Sequence, residues 1–449
     1  MERLLALIKK IIPSELISAV RPLYHFSLSL LAALYYRFPS RRLIVIGVTG
    51  TKGKTTVVEA LARILEEAGE HVASSSSLRM RIGDHIIPHA SGMTMPGRFF
   101  LSRFLKEAAD AGCRYAIIEV TSQGILQYRH RFIRFSAAVM TNISREHIEA
   151  HGGFEPYVRA KLDLFWRLSP SAIAVINRDD PHANRFFAAS NAPILYYGKS
   201  GIEYSDGVSM SGLPDDVSDK KWSVGAIATN ENGISFTLNS NVIVSPLLGE
   251  FNFYNLLAAS AASLHFGIPL ARIASVLKSV SAVEGRMEFI QKKPFAVVVD
   301  YAHTPDSLEE VYKTLSGIRH PASGASRLIC VLGAAGGGRD KWKRPEMGRI
   351  AAEYCDRIIL TNEDPFDDDP DEIIDQIERG AARTSKLKTQ SIRKILDRRK
   401  AIKDALGNAR AGEIVIITGK GSEQWIRAKN GKKIPWDDRE TVREELKHL

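Results

Sequence analysis

The run Gly47-Val48-Thr49-Gly50-Thr51-Lys52-Gly53-Lys54-Thr55-Thr56 follows the apolar stretch 43–46 and precedes a helical pattern over 57–67. A glycine-rich turn between a strand and a helix points several backbone N–H groups at one spot, where a phosphate can sit. Lys54 is placed to reach the outer phosphates of ATP, and the Thr55 hydroxyl to bind magnesium. Gly50, Thr51, Lys52, Gly53 and Thr56 complete the loop. Gly47 lies one residue early for a strict G-x-x-x-x-G-K-T, so a Gly/Thr-rich turn without function is the alternative. The order strand, loop, helix argues for the nucleotide.

Outward from this loop, short apolar strands alternate with amphipathic helices. Strands are expected at 43–48, 115–120, 137–141 and 172–177, which makes an α/β protein with a mostly parallel sheet covered by helices. Residues 200–245 are rich in Ser, Gly, Asp and Asn with short alternating runs, and read as an antiparallel β insertion. A helix is expected at 255–266, ending at Gly267. A second α/β series follows, with strands near 296–300, 327–332, 357–360 and 413–418. The boundary falls near 281–284. The expected organisation is thus a short helical segment over 1–42, a P-loop ATPase domain over 43–282 and a Rossmann-like α/β domain over 283–449.

A chain of 449 residues has room for two or three domains, and 45% hydrophobic with 25% charged residues is ordinary for a globular protein. Its three cysteines, Cys113, Cys330 and Cys355, form no C-x-x-C pair. That excludes a disulfide framework or thiolate zinc site and suits the cytoplasm. The net charge of +10 comes without an RNA-binding signature, so anionic small molecules rather than nucleic acid are the expected partners. Residues 1–42 are basic, and 23–36 are largely apolar but too short to span a bilayer as a helix. They read as a helical hairpin packed on the ATPase domain. The alternative is an interfacial anchor on anionic lipid, a peripheral membrane contact.

The second expected strand ends in Glu119, well placed to hold magnesium with Thr55. Beyond it comes Thr141-Asn142-Ile143-Ser144-Arg145-Glu146-His147-Ile148-Glu149-Ala150-His151-Gly152, and then Tyr157-Val158-Arg159-Ala160-Lys161-Leu162-Asp163-Leu164-Phe165. Singly, His147 reads as a structural or surface histidine and Lys161 as a solvated helix lysine. Together with the loop and Glu119 they resemble the Mur ligase family, which joins amino acids or peptides to UDP-N-acetylmuramic acid precursors of peptidoglycan. The segment 249–259, Glu284-Gly285-Arg286-Met287-Glu288, the segment 300–309, the segment 336–345 and Thr418-Gly419-Lys420-Gly421-Ser422-Glu423 extend the resemblance in order. The last two point to the branch that adds the third residue of the stem peptide.

The resemblance implies that ATP phosphorylates the terminal carboxylate of UDP-MurNAc-L-Ala-D-Glu and that the amine of a free amino acid attacks the acyl phosphate. It assigns Thr55 and Glu119 to one magnesium ion, and His147 and a carbamylated Lys161 to a second. Lys54, Lys161 and His147 become catalytic. Asn252, Asn255, Arg286 and Asp300 match nucleotide contacts. Thr94, Thr121, Gln127 and Arg129 match contacts to the muramoyl-peptide. Arg339, Asp364, Gly419 and Glu423 match contacts to the incoming amino acid. Cell-wall synthesis, cell shape and division, a cytoplasmic location and a monomer follow by the same resemblance.

Several positions depart from the family pattern. Met95 replaces the second Thr of a Thr-Thr-Pro element, Glu146 an Asp, and Gln123 and Ser422 two histidines. Glu363-Asp364-Pro365-Phe366 stands for the Asp-Asn-Pro-Arg typical of enzymes adding meso-diaminopimelate, and Phe366 lacks an arginine's fork. Asp367, Asp368 and Asp369 favour the ammonium of lysine, unless they only cap the following helix. Related enzymes carry an N-terminal UDP-gripping domain of about a hundred residues, which does not fit in 1–42. Alternatives therefore stay open: a ligase for another carboxylate, of folate or cyanophycin type, or a nucleotide-binding scaffold at a membrane.

Overall fold

The computed structural model describes residues 14–87, 93–205, 221–280, 283–318, 327–383 and 391–449. The chain forms two compact units. One comprises Met1–Ile143, Val158–Trp222 and Leu257–Ile273; the other comprises Ser144–Tyr157, Ser223–Leu256 and Ala274–Leu449. Residues 281 and 282, within the expected boundary, lie outside the described residues, as do 1–13.

In the first unit, ten strands form one sheet: β1 (Ile44–Thr49), β2 (Val72–Ser75), β3 (Met80–Ile82), β4 (His85–Ile87), β5 (Tyr115–Glu119), β6 (Ala137–Met140), β7 (Ile173–Asn177), β8 (Ile194–Gly198), β9 (Gly201–Tyr204) and β10 (Lys221–Trp222). Their order is β10-β9-β8-β7-β6-β1-β5-β2-β3-β4. The run from β8 to β2 is parallel, and antiparallel hairpins finish both edges. Strands covered on both faces need apolar side chains throughout, which explains continuous runs such as Tyr115-Ala116-Ile117-Ile118. Because β1 pairs with β5 on one side and β6 on the other, the loops after these three strands come together at their carboxyl ends. The helices are α1 (Ser14–Tyr35), α2 (Lys54–Glu67), α3 (Arg98–Asp110), α4 (Ser122–Leu126), α5 (Ile148–His151), α6 (Phe154–Trp166), α7 (Ala183–Ala189) and α8 (Phe251–His265). Of these, α5 belongs to the second unit, and the division between units falls within α6 and α8. α2 starts earlier than its apolar periodicity because Gly53, at φ 79°, turns the chain directly into the helix. α1 is a single helix followed by a 3₁₀ turn at Pro39–Arg42, and the other arm of the expected hairpin lies outside the described residues.

In the second unit, β11 (Val224–Asn230), β12 (Gly233–Leu238) and β13 (Asn241–Ser245) form an antiparallel meander, as the alternating pattern of that stretch predicts. A larger sheet takes β14 (Glu288–Gln291), β15 (Ala296–Asp300), β16 (Leu328–Leu332), β17 (Arg357–Leu360), β18 (Ile392–Lys394) and β19 (Ile414–Thr418) in the order β14-β15-β19-β16-β17-β18. All but the β14–β15 pair run parallel. One face packs against α10 (Pro305–Ser316), α11 (Lys343–Tyr354) and α12 (Pro370–Ala381), and the other against α13 (Arg398–Gly407) and α14 (Asp438–Leu446). α9 (Leu270–Leu277) precedes this sheet, and β20 (Trp425–Ala428) and β21 (Lys432–Pro435) form a terminal hairpin. The two-faced arrangement is the doubly wound architecture expected of the Rossmann-like half.

Candidate active site

The loop between β1 and α2 is held from the β6 side. Asn142 Oδ1 accepts from Lys52 N at 2.9 Å, and Thr141 Oγ1 donates to Lys52 O at 2.6 Å. Lys161, almost fully buried on α6, donates to Gly50 O at 2.7 Å. Gly50 sits at φ 145°, and a Cβ there would lie 1.9 Å from Thr141 Oγ1, so only glycine fits. Lys54 Nζ donates to Thr51 O at 2.8 Å and stands 4.0 Å from Glu119 Oε1.

Glu119 is the centre of the site. Its buried carboxylate accepts from Thr55 Oγ1 at 3.0 Å, from Ser77 N at 2.9 Å and from Ser77 Oγ at 3.1 Å. Ser77 Oγ in turn lies 3.1 Å from Thr94 Oγ1. A carboxylate and hydroxyls are hard oxygen donors of the kind magnesium takes, so these residues fit that ion. Among the described residues no group of three or more His, Cys, Asp or Glu is placed to hold a metal ion, at this site or elsewhere.

The residues matched to the muramoyl-peptide lie on one wall of the same unit. Thr121 Oγ1 caps α4 by accepting from Gly124 N at 3.0 Å. Arg129 Nη2 donates to Gln127 Oε1 at 2.6 Å, and its Nη1 donates to Met95 O, the residue after Thr94.

The remaining matched residues belong to the second unit. His147 has left-handed backbone at φ 56° and stands 3.6 Å from Glu146 Oε1. Glu146 Oε1 also lies 3.3 Å from His303 Nε2, and Asp340 accepts from Glu149 N at 2.9 Å. So His147 does not group with Thr55, Glu119 and Lys161 within one unit. Asn255 Nδ2 donates to Asn252 Oδ1 at 2.9 Å, and Asn252 Nδ2 to Leu248 O at 2.7 Å. The guanidinium of Arg286 stacks 4.0 Å over the Tyr301 ring. Asp300 accepts from Met287 N and Ala302 N, and burial raises its pKa.

Lys420 joins two of the acids matched to the incoming amino acid. It donates to Asp364 Oδ1 at 2.9 Å and to Glu423, whose other oxygen accepts from Tyr301 at 3.0 Å. Burial works to raise Glu423, but Lys420 outweighs it and holds the carboxyl below the ordinary range. Glu363, beside Gly419, is buried with its pKa raised by desolvation, and its Oε2 has no hydrogen-bond partner. Arg339 and Arg427 flank the Phe366 ring at 5.8 and 5.9 Å.

The acidic run is engaged by the fold itself. Asp367 accepts from Asn430 N, Asp368 pairs with Arg344 at 3.2 Å, and Asp369 caps α12 through Asp371 N. Of the three acids only Asp369 caps the helix, whereas Asp367 and Asp368 are taken up by Asn430 and Arg344.

Sequence reasoning gave no role to Ser77 or Asn142. Ser77 ends the run Ser74-Ser75-Ser76-Ser77 beyond β2, and a hydroxyl there is meaningful only once β2 is known to neighbour β5.

Comparison with known proteins places this geometry. Residues 48–263 match the Mur ligase middle domain, and residues 285–421 match the Mur ligase, glutamate ligase domain. The chain belongs to the Mur ligase family. Within it, the chain is 37% identical over 412 residues to UDP-N-acetylmuramoyl-L-alanyl-D-glutamate–2,6-diaminopimelate ligase of Aquifex aeolicus, covering 92% of this chain and 79% of that one. It is 38% identical over 423 residues to the ligase of the same name from Gloeobacter violaceus, covering 93% and 80%. A solved structure of a ligase of that name shares 31% identity at a TM-score of 0.59, covering 90% of this chain and 78% of that one. The fold is also that of Mycobacterium tuberculosis folylpolyglutamate synthase, at TM-score 0.67 and 18% identity over 88% of this chain and 92% of that one.

Proposed function

We propose that this chain is an ATP-dependent, ADP-forming ligase that adds the third stem residue, a diamino acid, to UDP-MurNAc-L-Ala-D-Glu in peptidoglycan synthesis. The observation that carries the reading is the continuous chain of hydrogen bonds Thr55–Glu119–Ser77–Thr94, which ties the phosphate loop to the wall matched to the donor. The backbone N–H groups of 53–56 would cradle the phosphates, those of Thr51 and Lys52 being held by Asn142, and Lys54 would leave Thr51 O to follow the γ-phosphoryl group onto the donor carboxylate. Thr55 and Glu119 would hold one magnesium ion, and a carbamate on Lys161 would offer oxygens to a second. Magnesium, when bound, supplies charge neutralisation at the phosphates. The acceptor amine then displaces phosphate from the acyl group, losing a proton as the amide forms, with Arg339, Asp364, Gly419 and Glu423 orienting the amino acid. Arg339 and Arg427 beside Phe366 favour an acceptor with a second carboxylate, 2,6-diaminopimelate, over lysine.

The test is phosphate release from ATP with UDP-MurNAc-L-Ala-D-Glu and single amino acids. Release that needs the dipeptide and diaminopimelate, with the matching mass gain, is expected. Release with lysine alone overturns the acceptor, and none with any amino acid overturns the ligase.

We also infer a peripheral membrane contact for this enzyme, which would act as a monomer. The outward face of α1 leaves Leu23, Leu31, Leu34 and Tyr35 exposed, Tyr35 by 74%, with Arg21, Arg37 and Arg41 nearby in the chain. Among the described residues no helix is long and apolar enough to cross a membrane, so the contact would be interfacial.

A further inference from the structure

Next to Arg129, already matched to the muramoyl-peptide, the first unit concentrates positive charge that the roles above do not use. Ser29 Oγ donates to Tyr128 O at 2.8 Å, and the rings of Phe26 and Phe132 meet edge-on at 5.3 Å, fastening α1 to the turn after α4. This docking sets His25 against Arg98, whose Nη2 donates to His25 Nδ1 and to Gln127 O, each at 2.5 Å. Gln127 is also the partner of Arg129. Burial, with the charges of Arg98, Arg21 and Arg129 behind it, lowers His25 to about 4.

All these hydrogen bonds end on neutral acceptors. Among the described residues no Asp or Glu pairs with Arg21, Arg98 or Arg129, and the buried Nε of Arg98 has no partner. Arg98 also opens α3, whose cap Gly97 has no side chain and whose first turn holds no acid. A cation there opposes the helix dipole. Two half-buried guanidinium groups with a third nearby destabilise the fold unless an anion completes them. Charge of this kind, assembled from three distant segments, marks a ligand site.

We propose that Arg21, His25 and Arg98, beside the donor-matched Arg129, bind the diphosphate of the donor nucleotide, α1 thereby forming part of the donor site; this rests on the ligase reading above. A carboxylate would balance one of the three guanidinium charges, whereas a diphosphate diester carries two and offers oxygens on both sides for arginine forks. His25, neutral with Nδ1 accepting from Arg98, keeps its Nε2–H as a donor for the anion.

Two measurements test this. With the phosphate loop saturated by a non-hydrolysable ATP analogue, UDP and uridine are titrated calorimetrically into the full chain and into Arg98→Gln. UDP is expected to bind more tightly than uridine, and the difference to shrink about fivefold or more in the variant. Equal UDP binding by both proteins overturns the site. In the ligase assay, R98Q is expected to raise KM for UDP-MurNAc-L-Ala-D-Glu about tenfold while leaving KM for MurNAc-L-Ala-D-Glu unchanged. An equal rise for both donors assigns Arg98 to the peptide or to the fold and overturns the proposal. His25→Asn repeats both arms should R98Q not fold. A chain without ligase activity defeats the ligase reading, and the UDP titration still decides the site.

Discussion

Glu119 accepts three hydrogen bonds in a buried position, so its replacement separates charge from shape. Glu119→Gln keeps the volume and removes the charge, as Lys54→Ala removes the cation that follows the phosphoryl group. Each is expected to lower kcat for phosphate release by about 10²–10³-fold, measured with circular dichroism unchanged. Gly50→Ala belongs to another class. Its backbone angle and the 1.9 Å approach to Thr141 Oγ1 predict a loss of about 2–4 kcal/mol in urea unfolding, along with nucleotide binding. At this scale the sequence was legible wherever chemistry is local. Gly50, Lys54 and Thr55 stand within one turn and could be read from their spacing. Ser77 and Asn142 could not, because β2 and β6 reach the loop only through sheet order. Arg98 was invisible for the same reason, since its neighbours His25 and Arg129 are remote in the chain.

Among the elements, α11 and α12 cross unusually closely. A Cβ on Gly380 would lie 1.8 Å from Pro345 O, and one on Gly348 would lie 1.9 Å from Ile377 O. Gly380→Ala is expected to cost about 2–3 kcal/mol, and Asp369→Ala, which removes only the α12 cap, about 1 kcal/mol. Guanidinium unfolding of the two variants reads the difference. At the end of α8, His265 Nδ1 lies 3.0 Å from the Tyr204 hydroxyl, and burial lowers its pKa to about 4. The folded state thus takes up this proton less readily than the unfolded chain. Its contribution is full above pH ~6.5 and is lost as pH falls toward about 4, at most ~3 kcal/mol. Melting temperature should therefore drop across that window in the parent and less steeply in His265→Gln. Element type was readable from periodicity, but starts were not: α8 begins at Phe251 rather than near 255. The acidic run 367–369 shows the limit of composition, since helix cap and ligand contact call for the same residues.

For the molecule as a whole, the inward face of α1 carries His25 and Ser29 while its outward face is apolar. Vesicles of phosphatidylglycerol are expected to retain the protein in sedimentation more than phosphatidylcholine vesicles, with the difference lost at high salt. Leu31→Glu with Leu34→Glu should abolish retention; unchanged retention removes the membrane contact. The fold class and the two α/β series were legible because each strand is a continuous apolar run. The grouping of segments was not, because packing partners of 144–157 and 223–256 lie far along the chain.

That interleaving bears on how such enzymes can be recombined. A chimera joined to a relative near residue 282 looks like a clean exchange of halves, yet it would separate β11–β13 and the His147 segment from the unit with which they cluster. A graft that respects the architecture must carry Ser144–Tyr157 and Ser223–Leu256 together with Ala274–Leu449. Grafting between homologues is therefore a multiple-junction problem, and substitutions in those two stretches should covary with the carboxyl-terminal half.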